Sequence, residues 1–152
     1  MLSFGIIVFV IVLALAPLMH FLPSKRQRRI ARIREYAALN GLFVEFRDMP
    51  VNAGRQMYPA PSSLDLIYYG KRFHAKRGVL VQPGVWIRAA EGWHSVGSRL
   101  SVPSEFEQLP PSVMCATVDN SSCGVYWNES SEEQGIEHIR EALEHWSDTL
   151  MY

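Results

Sequence analysis

Val113-Met114-Cys115-Ala116-Thr117-Val118-Asp119-Asn120-Ser121-Ser122-Cys123-Gly124-Val125-Tyr126-Trp127-Asn128 is the stretch on which the fold class turns. Residues 113–118 and 124–128 are rich in β-branched and aromatic side chains. Between them stands a cluster of residues whose short polar side chains hydrogen-bond their own backbone and so favour a turn. The stretch therefore predicts an antiparallel hairpin. Centred between Asn120 and Ser121, it sets Cys115 opposite Tyr126 and Cys123 opposite Val118. The two cysteines are not cross-strand partners.

Beyond the hairpin, Ile136, Ile139, Leu143, Trp146 and Leu150 recur at intervals of three and four, which winds them into one apolar stripe on a helix. Ser130 with Glu133, and Ser131 with Gln134, have the capping-box spacing that satisfies the orphan donors of a helix start. A helix with one apolar stripe must bury it. The expectation is an α+β fold in which an antiparallel sheet carries a C-terminal helix on one face.

Upstream, short strands are expected at 42–47, 64–69, 79–82, 85–89 and 93–96. They are separated by Gly70-Lys71, Lys76-Arg77-Gly78, Pro83-Gly84 and Glu91-Gly92. Residues 48–63 hold Pro50, Asn52, Gly54, Pro59 and Pro61 and read as a long irregular loop. Such loops are uncommon in compact domains and tend to be functional. With the neighbouring aromatics they give Tyr58, Trp86 and Trp93 as possible partner contacts, because Tyr and Trp bury large areas at interfaces while keeping a polar handle.

The chain has 152 residues, 48% of them hydrophobic and 20% charged, which suits one folded domain rather than a disordered chain. Its net charge of zero conceals an asymmetry. Six of the 15 basic residues, Lys25, Arg26, Arg28, Arg29, Arg32 and Arg34, fall in ten positions, leaving nine for the rest of the chain. From Gly41 onward those nine face 14 acids. The body is thus acidic, and a nucleic-acid-binding role is disfavoured.

Residues 24–40 predict an amphipathic helix, with Ser24 as its N-cap and Asn40-Gly41 as its stop. Ile30, Ile33 and Ala37 share one face, and Lys25, Arg28, Arg29 and Arg32 another. Ahead of it, residues 2–22 contain no charge and match the ~20 apolar residues needed to cross a hydrocarbon core. A cleavable signal peptide is the competing reading, since Ala14-Leu15-Ala16 has the small-x-small pattern. It lacks a basic n-region, Pro17 would follow the cut, and the basic cluster lies on the wrong side. The segment reads as an uncleaved anchor. Because Lys and Arg beside a span are retained in the cytosol, the N-terminus is expected outside and the domain inside. Lys25, Arg26, Arg28, Arg29 and Arg32 then face anionic lipid headgroups.

The chain thus divides into an anchor at 1–23, a basic connector at 24–40 and a cytosolic domain at 41–152. The apolar span followed at once by Pro23-Ser24-Lys25-Arg26-Gln27-Arg28-Arg29 resembles the start of YajC, the accessory subunit of the bacterial preprotein translocase. The resemblance covers about the first 35 residues. Beyond them this chain is longer and lacks the Gly-rich β-domain of that family. What the resemblance implies is a bacterial inner-membrane setting.

Chemistry-bearing patterns are sparse. His138, Glu141 and His145 share a helix face, but one opposite the apolar stripe, where nothing orients the imidazoles for a metal. Cys115 and Cys123 fit no zinc spacing, and in the cytosol they read as reduced packing residues. Asp65, Asp119 and Glu129 lie at strand ends or turns, where carboxylates usually cap. There is no phosphate-binding Gly-rich loop and no nucleophile elbow. No cofactor or metal is expected. The reading is an accessory or scaffold subunit that contacts integral membrane proteins, more a binding module than an enzyme. The alternative is a membrane-associated enzyme or small-ligand sensor with a pocket near residues 48–63.

Overall fold

A computed structural model describes residues 2–20, 23–57, 66–97, 99–129 and 134–151; of Leu2 and residues 17–20 it describes the backbone. The chain divides into two compact units, Met1–Arg32 and Ile33–Tyr152.

In the first unit, α1 (Leu2–His20) contains no Asp, Glu, Lys or Arg and is apolar on every side rather than along one stripe. Among the described residues, no helix is long and apolar enough to cross a membrane. α2 (Lys25–Leu39) starts at the expected residue. Ser24 Oγ accepts from the Gln27 amide at 3.2 Å, and Gln27 Oε1 accepts from the Ser24 amide at 2.8 Å, a reciprocal capping box.

The second unit is built on the hairpin. β5 (Val113–Val118) and β6 (Ser122–Trp127) pair with Cys115 opposite Tyr126 and Val118 opposite Cys123, the register expected from the turn. Around them β1 (Leu42–Glu45), β2 (Ile67–Arg72), β3 (Gly84–Ala89) and β4 (Gly92–Ser95) complete a six-stranded sheet in the order β1-β2-β6-β5-β3-β4. Every neighbouring pair is antiparallel. The α+β class holds.

One face of the sheet packs against α4 (Gly135–Met151), the end of α2 and a 3₁₀ turn at Ser104–Gln108. Ile136, Ile139, Leu143 and Trp146 are buried as the stripe requires, and Leu150 packs partly against them. Trp86, Phe106 and Trp146 meet edge to face, with centroids 4.9 to 5.6 Å apart, the arrangement that the ring quadrupoles favour. Ile33 and Ala37 of α2 join the same core. The other face is smaller, with Tyr68, Ile87, Cys115 and Tyr126 beneath Ala53 and Met57.

Three expectations change. Residues 48–57 are not irregular throughout: α3 (Val51–Gln56) follows Pro50, whose carbonyl accepts from the Ala53 and Gly54 amides at 2.9 and 3.0 Å. Pro50 opens a helix here rather than breaking structure. β2 lies three residues later than expected, because Gly70 is a strand residue and not a separator. A Cβ there would overlap the Phe43 and Tyr68 rings, so only glycine lets these rings lie on the sheet. The strand expected at 79–82 is absent, and both places beside β3 are taken by β5 and β4. The capping residues expected at 130–133 lie outside the described residues.

Trp146→Ala should remove a buried ring from both aromatic contacts and destabilise by roughly 3–5 kcal/mol. His138→Gln with His145→Gln, on the exposed face, should change stability by less than about 0.5 kcal/mol. Urea-denaturation midpoints of the two variants check this.

Candidate binding surface

The charged groups of the domain sort by what they already bind. Glu129, 6% exposed, accepts two hydrogen bonds from the Arg34 guanidinium at 2.8 and 2.7 Å, and one from the Tyr69 hydroxyl at 2.5 Å. The bond to Glu129 holds the Arg34 pKa above its ordinary value. Burial, then the bond to Glu129, pushes the Tyr69 phenol well above its own. Arg34 and Tyr69 thus keep the protons that they donate to Glu129. Glu129 is thus a structural carboxylate. On the surface, Arg140 binds Glu137 and Glu144 at 2.7 and 2.6 Å and approaches Glu141 at 3.6 Å. Tyr36 donates to Glu137.

This pairing also decides the His138, Glu141 and His145 face. Both histidines are exposed, and Glu141 lies beside Arg140. Among the described residues, no group of three or more His, Cys, Asp or Glu side chains is arranged to hold a metal ion. Asp119 serves its turn: burial acts to raise its pKa, but hydrogen bonds from the amides and hydroxyls of Ser121 and Ser122 outweigh that and hold it below the carboxylate range.

Two clefts open on the smaller face, both beside the 48–57 segment. The first, of about 370 Å³, lies between Arg47, Asp48 and Pro50 on one side and Thr117, Asp119 and Tyr126 on the other. Arg47 lies 4.4 Å over the Tyr68 ring and binds Glu45 at 2.8 Å. Tyr126 donates to the Asp48 carbonyl at 3.1 Å, and burial raises its phenol pKa. The second cleft, of about 330 Å³, is lined by Gln56, Met57, Ile87 and Met114 among others. Outside the clefts, Phe46 is 80% exposed, with Arg34 placed 5.1 Å over its ring.

The residues singled out from sequence do not form one site. Lys25, Arg26, Arg28 and Arg32 are exposed on α2, and Arg29 is half-buried. Tyr58 lies outside the described residues. Trp86 is corrected from surface to core: at 4% exposure it is enclosed by Phe106 and Trp146, and its indole N–H donates to the Ser101 carbonyl at 3.2 Å. Trp93 is half-buried, between Phe106 and the Arg88 guanidinium. No family model, curated protein or solved structure matches this chain. Phe46, Arg47 and Asp48 went unnoticed because the first two read as the end of a strand, and only the end of β1 at Glu45 turns them out.

Cys115 and Cys123 are free, and they are buried in the cores on opposite faces of the sheet. Burial pushes both thiols from 9.0 up to about 12. The folded state therefore holds their protons more tightly than the unfolded chain. The associated stability is complete below pH ~9 and is lost as pH rises toward about 12. At neutral pH an alkylating reagent should leave the folded protein unmodified and label both thiols after unfolding, as intact mass would read. Rapid labelling of either in the folded state would contradict its burial.

Proposed function

We propose that the chain is a membrane-anchored accessory or scaffold subunit whose α+β domain contacts integral membrane proteins. The observation that carries this reading is the order of elements at the start of the chain. A helix without a charged residue, Leu2–His20, is followed by a helix that is basic from Lys25 and contributes Ile33, Arg34 and Ala37 to the domain. α1 has 19 residues and no Asp, Glu, Lys or Arg, a composition that suits an anchor. The basic residues then set the orientation, with the N-terminus outside and the domain in the cytosol of a bacterium, at its inner membrane. The resemblance of the first residues to the translocase accessory subunit accords with that setting. A tether of this kind raises the local concentration of the domain near a membrane partner, so that a modest interface suffices. Exposed Phe46 and half-buried Trp93 are the aromatic candidates for such an interface.

The 370 Å³ cleft favours a second reading, a small-ligand sensor or enzyme, because it lies beside the 48–57 segment and Arg47, Asp48 and Tyr126 converge on it. Arg47 is already engaged with Glu45 and Tyr68, and the Tyr126 hydroxyl with the Asp48 backbone carbonyl, which supports the scaffold over the pocket.

A reporter active only in the cytosol, fused after Tyr152, should work, and neutralising four of the six basic residues from Lys25 to Arg34 should give mixed orientation. Activity of a periplasm-only reporter at that point overturns the topology. Gentle-detergent capture of the intact chain should retain integral membrane proteins, and Phe46→Glu should reduce that capture by about tenfold or more without loss of fold. If capture is unchanged while a small molecule raises the melting temperature of the wild type and not of Arg47→Met, the ligand reading replaces the scaffold.

A further inference from the structure

The connection between β2 and β3 has a composition unlike the rest of the domain. No acid occurs from Leu66 to Ala90, whereas Lys71, Arg72, Lys76, Arg77 and Arg88 account for five of the nine bases that follow Gly41. Arg88 points inward, to the Leu109 carbonyl at 2.9 Å, and Lys71 lies 3.5 Å from Glu144. Arg72, Lys76 and Arg77 are exposed.

The backbone holds this segment in a definite shape. Its base is fixed: the Phe73 amide donates to the Ser121 carbonyl at 2.9 Å, the Phe73 ring is buried, and Ala75 and Val81 pack against the larger core. Between these points a turn closes from the Val79 amide to the Lys76 carbonyl at 2.9 Å, with Gly78 at φ +93°. That positive φ at the third position of a turn is one that glycine adopts without strain. Beyond the turn stands Leu80, 97% exposed, next to Val79, which is also exposed. The chain therefore buries Phe73 on one side of the tip and half-buries Val81 on the other, and leaves Leu80 exposed.

We propose that residues 71–83 form a second membrane-contacting element, in which Arg72, Lys76 and Arg77 bind the headgroups of an anionic leaflet and Leu80 inserts among them. An exposed apolar side chain in a segment that carries three exposed bases matches an anionic bilayer on both counts. The bases meet anionic phosphates, and the leucine gains burial that no element of this domain provides. A cytosolic leaflet supplies that negative surface, so the inference rests on the proposed tether for its setting and on the loop alone for its chemistry.

The full-length Leu80→Cys protein, labelled there with an environment-sensitive fluorophore, tests it; the two native thiols are buried and stay unlabelled. Reconstituted with phosphatidylcholine vesicles containing phosphatidylglycerol, the label should shift to the blue and be quenched by a nitroxide placed just below the headgroups. Both effects should be lost in pure phosphatidylcholine, at high salt, and in Lys76→Glu with Arg77→Glu. A label that stays in water in both kinds of vesicle, or is shielded equally in both regardless of the charge reversal, overturns the proposal. So does shielding that occurs only in native membranes with their proteins, which assigns the loop to a protein partner. Flotation of the same samples separates this from the anchor. Co-flotation with both vesicle types and a water-exposed label leaves the anchor standing and removes the loop contact. Flotation only with anionic vesicles, abolished by the charge reversal, keeps the loop contact and removes the anchor. Flotation with neither removes both.

Discussion

The carboxylate of Glu129 joins three parts of the chain that are distant in sequence. It receives the guanidinium of Arg34 from α2, the hydroxyl of Tyr69 from β2, and lies itself just past the end of β6. A carboxylate buried this far must be matched by charge and hydrogen bonds, because an unpaired ion in a low-dielectric surrounding is strongly unfavourable. Meeting that demand fixes the end of α2 against the sheet, where Ile33 and Ala37 complete the core. Asn40 and Gly41, the latter at φ +77°, then reverse the chain into β1. Strand order at this edge follows from the one cluster.

The two faces of the sheet differ in how they are covered. The α4 face is closed by a long helix and an aromatic cluster. Opposite it, among the described residues, the short helix α3 covers a core that includes Tyr68 and Tyr126, and the two clefts lie beside it. Glycine makes that smaller face possible. Gly70 and Gly124 sit where a side chain would collide with the Tyr68 ring, so the aromatic side chain lies down on the sheet instead of standing away from it. Any contact that depends on cleft shape is set by these two positions as much as by the polar residues at the rim.

The location of charge follows a related logic. Within the domain the acids are largely engaged: Glu129 in its buried cluster, Asp119 in its turn, and Glu137 and Glu144 with Arg140. The bases are more often exposed, along the first turns of α2 and in the loop after β2. A chain of zero net charge can in this way present basic surfaces. Net charge alone does not reveal this, since it counts groups without asking where they lie.

Local pattern sufficed for the β5–β6 hairpin and for α4, because a turn cluster between β-formers and a three-four apolar stripe each determine an element without reference to distant residues. The same holds for α2, whose Ser24 and Gln27 form their box from neighbouring backbone alone. Elsewhere local signs misled. Gly70 resembles punctuation, yet it lies mid-strand beneath the Phe43 and Tyr68 rings; residues 79–82 have strand composition, yet every place beside β3 is taken. The candidate surfaces were legible only where charge runs in sequence, as from Lys25 to Arg34. The pairing of Arg34 with Glu129, the burial of Trp86 and the exposure of Phe46 and Leu80 were decided by the tertiary structure. Which aromatic or apolar residue is covered depends on what the rest of the chain places against it, and that information is carried by contacts up to about a hundred residues apart rather than by any local window.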